Sequence, residues 1–160
     1  MTRLIEARDG DFLWILGRGA PVTPGLTLPP GGVDAPEIIE IVRDMARKVR
    51  AGHDRGAWMM VEAGEVVGLC SYKAPPDPAG AVEIGYGVAP ARRRQGHARR
   101  AVAAMIAIAR DDPAVNVLLA VTSVVNAASQ RCLIANGFVE CDRADDPEDG
   151  PVILWTLELG

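Results

Sequence analysis

The chain has 160 residues, 49% of them hydrophobic, with a formal net charge of -4. That length suits one domain with a real core, and residues 1–160 are read as a single domain. The acidic balance argues against a general nucleic-acid binder, which spreads Lys and Arg widely enough to neutralise several phosphates.

The segment "TRLIEA" reads as an opening strand and "DFLWILG" as a helical turn or short helix. Residues 17 to 36, dense in Gly and Pro and without a sustained period, read as an irregular loop. Asp34 with Glu37 resembles a capping box, and Ile38, Ile41, Val42, Met45 and Val49 recur at helical spacing toward Arg50. The runs "AWMMVEA" and "EVVGLCSYK", joined at Ala63-Gly64, suit an antiparallel hairpin. A third strand, "AVEIGYGV", ends before Pro90. From Gly96 an apolar stripe of Ala101, Val102, Met105, Ile106 and Ala109 predicts a helix that stops before Pro113. The strand "VNVLLAV" follows, then a helix from Asn126 to Asn136-Gly137, with glycine as its left-handed cap. Two last strands, near "FVECD" and "VILWTLEL", flank the acidic stretch "RADDPEDG", read as a loop. The sum is a strand-rich mixed domain with helices interleaved in its second half. Trp14, Trp58 and Trp155 are read as packing residues.

Cys70, Cys132 and Cys141 are odd in number and have only His53 and His97 for company. Neither a disulfide framework nor a metal site is supported. The N-terminus lacks the pattern of a secretory leader, and the longest apolar run, "AVAAMIAIA", is far below the roughly 20 residues of a membrane span. A soluble, cytoplasmic protein without metal, membrane or nucleic-acid partner is expected.

The stretch "ARRRQGHARR" carries five arginines in an acidic chain. A strand ends at Val88, a Gly-containing turn follows, and an amphipathic helix starts at Gly96. Such a helix start offers free N–H groups and the positive end of the helix dipole, and glycine lets a ligand approach the backbone. Arg92, Arg93 and Arg94 stand where guanidiniums would reach phosphate oxygens. Arg99 and Arg100 also fit a solvated helix surface.

The segment "VAPARRRQGHARRAV" resembles the cofactor motif of the GNAT superfamily of N-acetyltransferases, met here by Arg93, Gly96 and Ala98. Downstream, "NAASQRCLIANGF" resembles a second family segment, its wording closest to the ribosomal-protein N-terminal acetyltransferase branch. The resemblance implies an α+β fold. Its mixed, mostly antiparallel sheet of about seven strands would have a splayed central pair and flanking helices in three α/β/α layers. It further implies acetyl-CoA as co-substrate and acetyl transfer to an amine in a ternary complex. Backbone N–H groups of Arg94, Gln95, Gly96, His97, Ala98 and Arg99 would cradle the pyrophosphate. The main chain at Val88 would pair with the pantetheine arm and donate to the thioester carbonyl. Asn126 would bond the pantetheine region, with helix N-capping as its other reading, and Ser129 opens the same helix.

Acetylation needs a neutral amine, although α-amines titrate near about 8 and lysines near about 10.4. Glu83, on the strand leading to Val88, stands where the family often places a carboxylate base. The family tyrosine that protonates the departing thiolate is replaced by Leu133, and the sequence assigns neither Tyr72 nor Tyr86 to the sulfur. A buried structural role suits Cys132 better than acyl transfer, and His97 is expected at the surface or on phosphate. The acceptor is expected to be a protein or peptide N-terminus, with a small-molecule amine (amino acid, polyamine or antibiotic) as the alternative. A non-catalytic acyl-CoA-binding module is the competing class. A homodimer through the final strand is also considered.

Overall fold

Strand β1 (Arg3–Glu6) and helix α1 (Asp9–Ile15) open the chain, and a long irregular segment leads to α2 (Pro36–Arg50). Three consecutive strands follow: β2 (Ala57–Glu62), β3 (Glu65–Tyr72) and β4 (Ala81–Val88). After a single 3-10 turn at Pro90–Arg92 come α3 (His97–Arg110), β5 (Val117–Ser123), α4 (Ala127–Ala135), β6 (Val139–Asp146) and β7 (Gly150–Glu158). This computed structural model describes residues 1–160. The strands form one sheet in the order β1-β2-β3-β4-β5-β7-β6, antiparallel throughout except between β4 and β5. The expected α+β architecture is therefore present.

Alternation along the strands sends apolar side chains to both faces, so the sheet is covered twice. Val82 and Ile84 of β4 join Val102, Met105 and Ile106 of α3 and Leu133 of α4 in one core. Leu69 of β3 joins Phe12, Ile15, Ile39 and Ala46 of α1 and α2 in the other. Leu26 and Val33 of the irregular segment are buried in that second core, which pins a loop that has no ladder of its own. Trp58 and Trp155 are core residues, as expected, and Trp155 Nε1 donates to Thr122 Oγ1 at 2.9 Å. The C-terminus of α4 closes as its glycine predicts. Gly137 adopts φ 89, its N–H donates to Ile134 O, and the Phe138 N–H donates to Leu133 O, both at 3.0 Å.

The central feature is where β4 and β5 part. They pair only at Ala81, Val82 and Glu83 with Val117, Leu118 and Leu119. Beyond that point β4 stays registered to β3 as far as Val88, while β5 stays registered to β7 as far as Ser123. The Lys73 N–H donates to Glu83 O and the Ala89 N–H to Val67 O, each at 2.8 Å. Backbone groups alternate along an antiparallel strand, so those of Tyr86 and Val88 turn the other way, into the opening. The splay expected between these two strands is thus a property of the sheet.

Three local expectations are corrected. The Asp34/Glu37 capping box does not form: α2 begins at Pro36, the N-cap is Ala35, and no side chain caps it. Proline at the first helical position presets φ and has no N–H to satisfy; Asp34 Oδ1 instead accepts the Ala35 N–H at 2.7 Å. The first helix starts at Asp9, ahead of "DFLWILG", because Asp11 accepts the Arg8 N–H and closes its first turn. "RADDPEDG" is mostly strand: β6 continues to Asp146, and Asp146 Oδ1 takes the N–H groups of Glu148 and Asp149 to turn the chain. Its charges suit an edge strand with solvent on both faces.

Candidate functional site

Where β4 and β5 part, a cleft of about 940 Å³ opens between the end of β4, the start of α3 and one face of α4. Nine of the ten residues expected at a cofactor lie along it: Val88, Arg93, Arg94, Gly96, His97, Ala98, Arg99, Asn126 and Ser129. Gln95 is the exception. Its exposed side chain instead reaches the His97 ring, with Oε1 3.2 Å from Nε2.

The loop between strand and helix is built around free donors. No backbone or side-chain acceptor engages the N–H groups from Arg94 to Arg99; the first bond of the helix is Arg100 N–H to Gly96 O at 3.2 Å. Gly96, the N-cap of α3, has φ 80, and Arg94 has φ 62. Left-handed residues at such spacing turn successive N–H groups toward one side, the geometry of an anion nest at a helix start. A non-glycine residue held there stores about 1–3 kcal/mol of strain, tolerated where a site requires the shape. The donor set fits a diphosphate: six hard N–H donors at a positive helix end, with no carboxylate among the lining residues.

The five arginines divide by their partners. Arg92, expected to reach phosphate, forms a fork with Glu65 at 2.6 and 3.2 Å, which ties the loop to the start of β3. Arg100, for which the sequence leaves phosphate contact and solvated surface both open, is held by Thr2 Oγ1 at 3.0 Å and by Gln95 O at 3.0 Å. Arg93, Arg94 and Arg99 carry no ion pair; Arg93 Nε makes one long contact of 3.4 Å to Val88 O. These three, with Arg131 of α4, supply the positive wall of the cleft.

His97 departs from its expected surface role. Its side chain is buried, with Nδ1 2.9 Å from Thr2 Oγ1 and 3.1 Å from Arg100 Nη2, so only its main chain serves the loop. Burial, and then the Arg100 guanidinium against Nδ1, push its pKa below the ordinary imidazole value. The folded state thus binds this proton more weakly than the unfolded chain. The resulting stability is complete above about pH 6.5 and is lost as pH falls through the depressed folded value. The gap in melting temperature between wild type and His97→Asn is expected to be widest near pH 7.5 and to narrow toward pH 5. A pH-independent gap in thermal-shift curves would contradict this.

Helix α4 forms the opposite wall. Asn126 is its N-cap, accepting the Ser129 N–H at 3.1 Å. Ala128, Cys132 and Ala135, small residues at helical spacing, line the cleft and leave room between α4 and β4. Their spacing was a readable signal that sequence reasoning passed over. Burial raises the pKa of Cys132, so its thiol stays protonated and is a poor nucleophile. Leu133, at the position of the family tyrosine, is fully buried in the core.

The residue most clearly missed is Tyr86. It shares a strand face with Val88 and lines the cleft, and its hydroxyl lies 2.7 Å from Ser129 Oγ. Burial raises its pKa well above that of a free phenol, so it holds its proton at neutral pH. Tyr72 is elsewhere, packed edge-on against Trp58 with its hydroxyl unpartnered. Glu83, expected as base, lies on the opposite face of β4, toward α2, where Lys73 Nζ holds its carboxylate at 2.8 Å.

The chain matches a protein-family model described as an acetyltransferase (GNAT) domain over residues 22–139. Solved structures with the same fold include aminoglycoside acetyltransferase AAC(6')-Ib in complex with coenzyme A. It is 16% identical, with a TM-score of 0.71 over 99% of this chain and 95% of that one. A spermidine N-acetyltransferase SpeG chimera from Vibrio cholerae and hSSAT is 14% identical, with a TM-score of 0.71 over 99% and 95%. RimL, a ribosomal-protein α-N-acetyltransferase in complex with coenzyme A, is 16% identical, with a TM-score of 0.70 over 98% and 93%. A search of curated proteins gives no match. Three different acceptors are named among these neighbours at similar distance, so the ribosomal-protein branch is not singled out. No helix is long and apolar enough to cross a membrane.

Proposed function

Because the chain belongs to the GNAT family of acetyltransferases and is an acetyl-CoA-dependent acyltransferase, we propose that it moves the acetyl group directly to a primary amine in a ternary complex. The acceptor is a protein or peptide N-terminus or a small-molecule amine. The run of unpartnered N–H groups from Arg94 to Arg99, at the start of α3 and beside an opened sheet, carries this reading.

In it the loop amides, with Arg93, Arg94 and Arg99, hold the diphosphate of acetyl-CoA. The pantetheine arm adds to the side of β4 that β5 leaves unpaired, displacing the long Arg93 contact to Val88 O, and Asn126 and Ser129 contact it from α4. The Val88 N–H donates to the thioester oxygen as negative charge develops there. Tyr86, protonated and steadied by Ser129, supplies the proton for the departing thiolate. A carboxylate on the α2 face of β4 receives the amine's proton, and Glu83 and Asp34 both stand on that face.

Titration calorimetry with acetyl-CoA, followed by thiol release with a panel of amines, tests the whole reading. No binding sinks it, and binding without thiol release leaves only an acyl-CoA-binding module. For Tyr86→Phe the expected result is a fall in kcat of about 100-fold, the lower end of the span of general acid catalysis. The acetyl-CoA Kd should stay within about threefold, since a phenyl ring fills the same space. An unchanged kcat would remove Tyr86 from the proton path.

A further inference from the structure

A second cavity, of about 110 Å³, lies on the other face of β4 and is roofed by α2. Its floor is bare backbone, because Gly85 and Gly87 alternate onto that face with no side chains. Two charged groups overhang this floor. A Cβ built on Gly87 would lie 3.7 Å from Asp34 Oδ2, and one on Gly85 would lie 3.2 Å from Lys73 Cε. Lys73 is neutralised by Glu83 at 2.8 Å. Asp34 is not neutralised: Oδ1 accepts the Ala35 N–H, and Oδ2 has no hydrogen-bond or ion-pair partner. The walls are mostly hydrocarbon, from Val33, Ile38, Val42, Met45 and Leu69, with the Ser71 hydroxyl near Gly85 as the neutral polar group.

Gly87 and Tyr86 border both this cavity and the larger cleft. A single strand with an open β5 side therefore separates them. We propose, resting on the acetyltransferase reading above, that Asp34 is the carboxylate that holds and deprotonates the acceptor, and that the acceptor is a monoamine bearing a short aliphatic group.

The chemistry of the cavity selects this class. One free anionic oxygen at the mouth matches one ammonium. A second ammonium farther in would meet Lys73, hydrocarbon and a single neutral hydroxyl, with no second free anion, which disfavours polycations. The volume is below the roughly 150 Å³ of an apolar cavity that takes benzene, so the buried substituent is a small branched or linear alkyl group. Asp34 accepts one proton from the ammonium, and the nitrogen lone pair forms the C–N bond with the thioester carbon. The C–S bond breaks with its electron pair on sulfur, and the nitrogen's second proton reaches that sulfur through Tyr86.

Thiol release compares peptides beginning with Leu, Val or Ser, free leucine, spermidine and kanamycin, with wild type, Asp34→Asn, Glu83→Gln and Gly85→Leu. Aliphatic amines should exceed spermidine and kanamycin at least tenfold in kcat/KM, and the peptide and free-leucine arms separate the two sources of that chemistry. Asp34→Asn should lose at least about 50-fold in kcat at pH 7 and recover as pH rises above the amine's pKa, while acetyl-CoA affinity by calorimetry stays within twofold. Glu83→Gln should lose less than tenfold, and Gly85→Leu, which fills the cavity, should raise KM for aliphatic amines alone. An Asp34→Asn enzyme equal to wild type, a pH-rescued loss in Glu83→Gln instead, or a preference for polycations overturns the proposal with the acetyltransferase reading intact. Wild-type protein that binds no acetyl-CoA, or binds it and acetylates nothing, overturns both.

Discussion

Replacing Gly96 by valine is expected to weaken acetyl-CoA binding by about two orders of magnitude while moving the melting temperature by only a few degrees. Gly96 sits at φ 80, a conformation that a β-branched residue rarely adopts, and it is the residue from which α3 departs. A valine there relieves its strain by rotating the backbone, which turns the neighbouring N–H groups out of their common direction. A hydrogen bond to a charged group contributes about 1.5–3 kcal/mol, so misdirecting two of them accounts for a hundredfold loss or more. The fold should survive. Gly96 is exposed, and the Cβ contact it would gain is with the Arg100 guanidinium, Nη1 at 2.7 Å, which can yield by loosening its hydrogen bonds to Thr2 Oγ1 and Gln95 O without disturbing the core. Gly96→Ala should lie between wild type and valine. Calorimetry showing wild-type affinity in the valine variant would mean that these amides do not hold the diphosphate.

The loop of unpartnered donors was legible because its chemistry is local: arginines, a glycine and a helix start fall within one short segment. The strand order and hairpin followed from turn residues and alternation, which are equally local. Partners distant in sequence were not legible. Nothing near Arg92 announces Glu65, and nothing near Arg100 announces Thr2, yet these contacts decide which cations remain available. Tyr86 was missed for the same reason: its parity with Val88 was readable, but the approach of Ser129 on α4 depends on how β4 and β5 part. Asp34 was read as part of a helix cap because its spacing to Glu37 fits one. Pro36 moves the helix start and leaves that carboxylate over Gly87.

The same dependence on close approach makes Gly68→Ala the most disruptive small substitution expected in the sheet. Gly68 pairs with Met60 on one side and with Val88 on the other, beside the bulge between Met60 and Val61. A Cβ there would lie 2.4 Å from Gly87 O, 2.8 Å from Met60 Sδ and 3.1 Å from Val88 Cα. Two of these atoms are backbone, and Met60 is fully buried, so no side chain can swing aside and the end of β4 must move. Overpacking of this kind costs about 1–3 kcal/mol, occasionally more. In a chain of this size each kcal/mol lowers the melting temperature by roughly 2–4 °C, so a fall of about 6–12 °C marks the upper end. The displaced atoms belong to the residues that face the cleft, so acetyl-CoA affinity should drop with stability. Gly52→Ala is the matched control: its added Cβ meets only the Pro75 side chain, at ordinary van der Waals distances of 3.5 and 3.8 Å, and should change neither quantity. If Gly68→Ala melts within a degree or two of wild type, β3 does not approach β4 this closely, and the position assigned to the Val88 backbone loses its support.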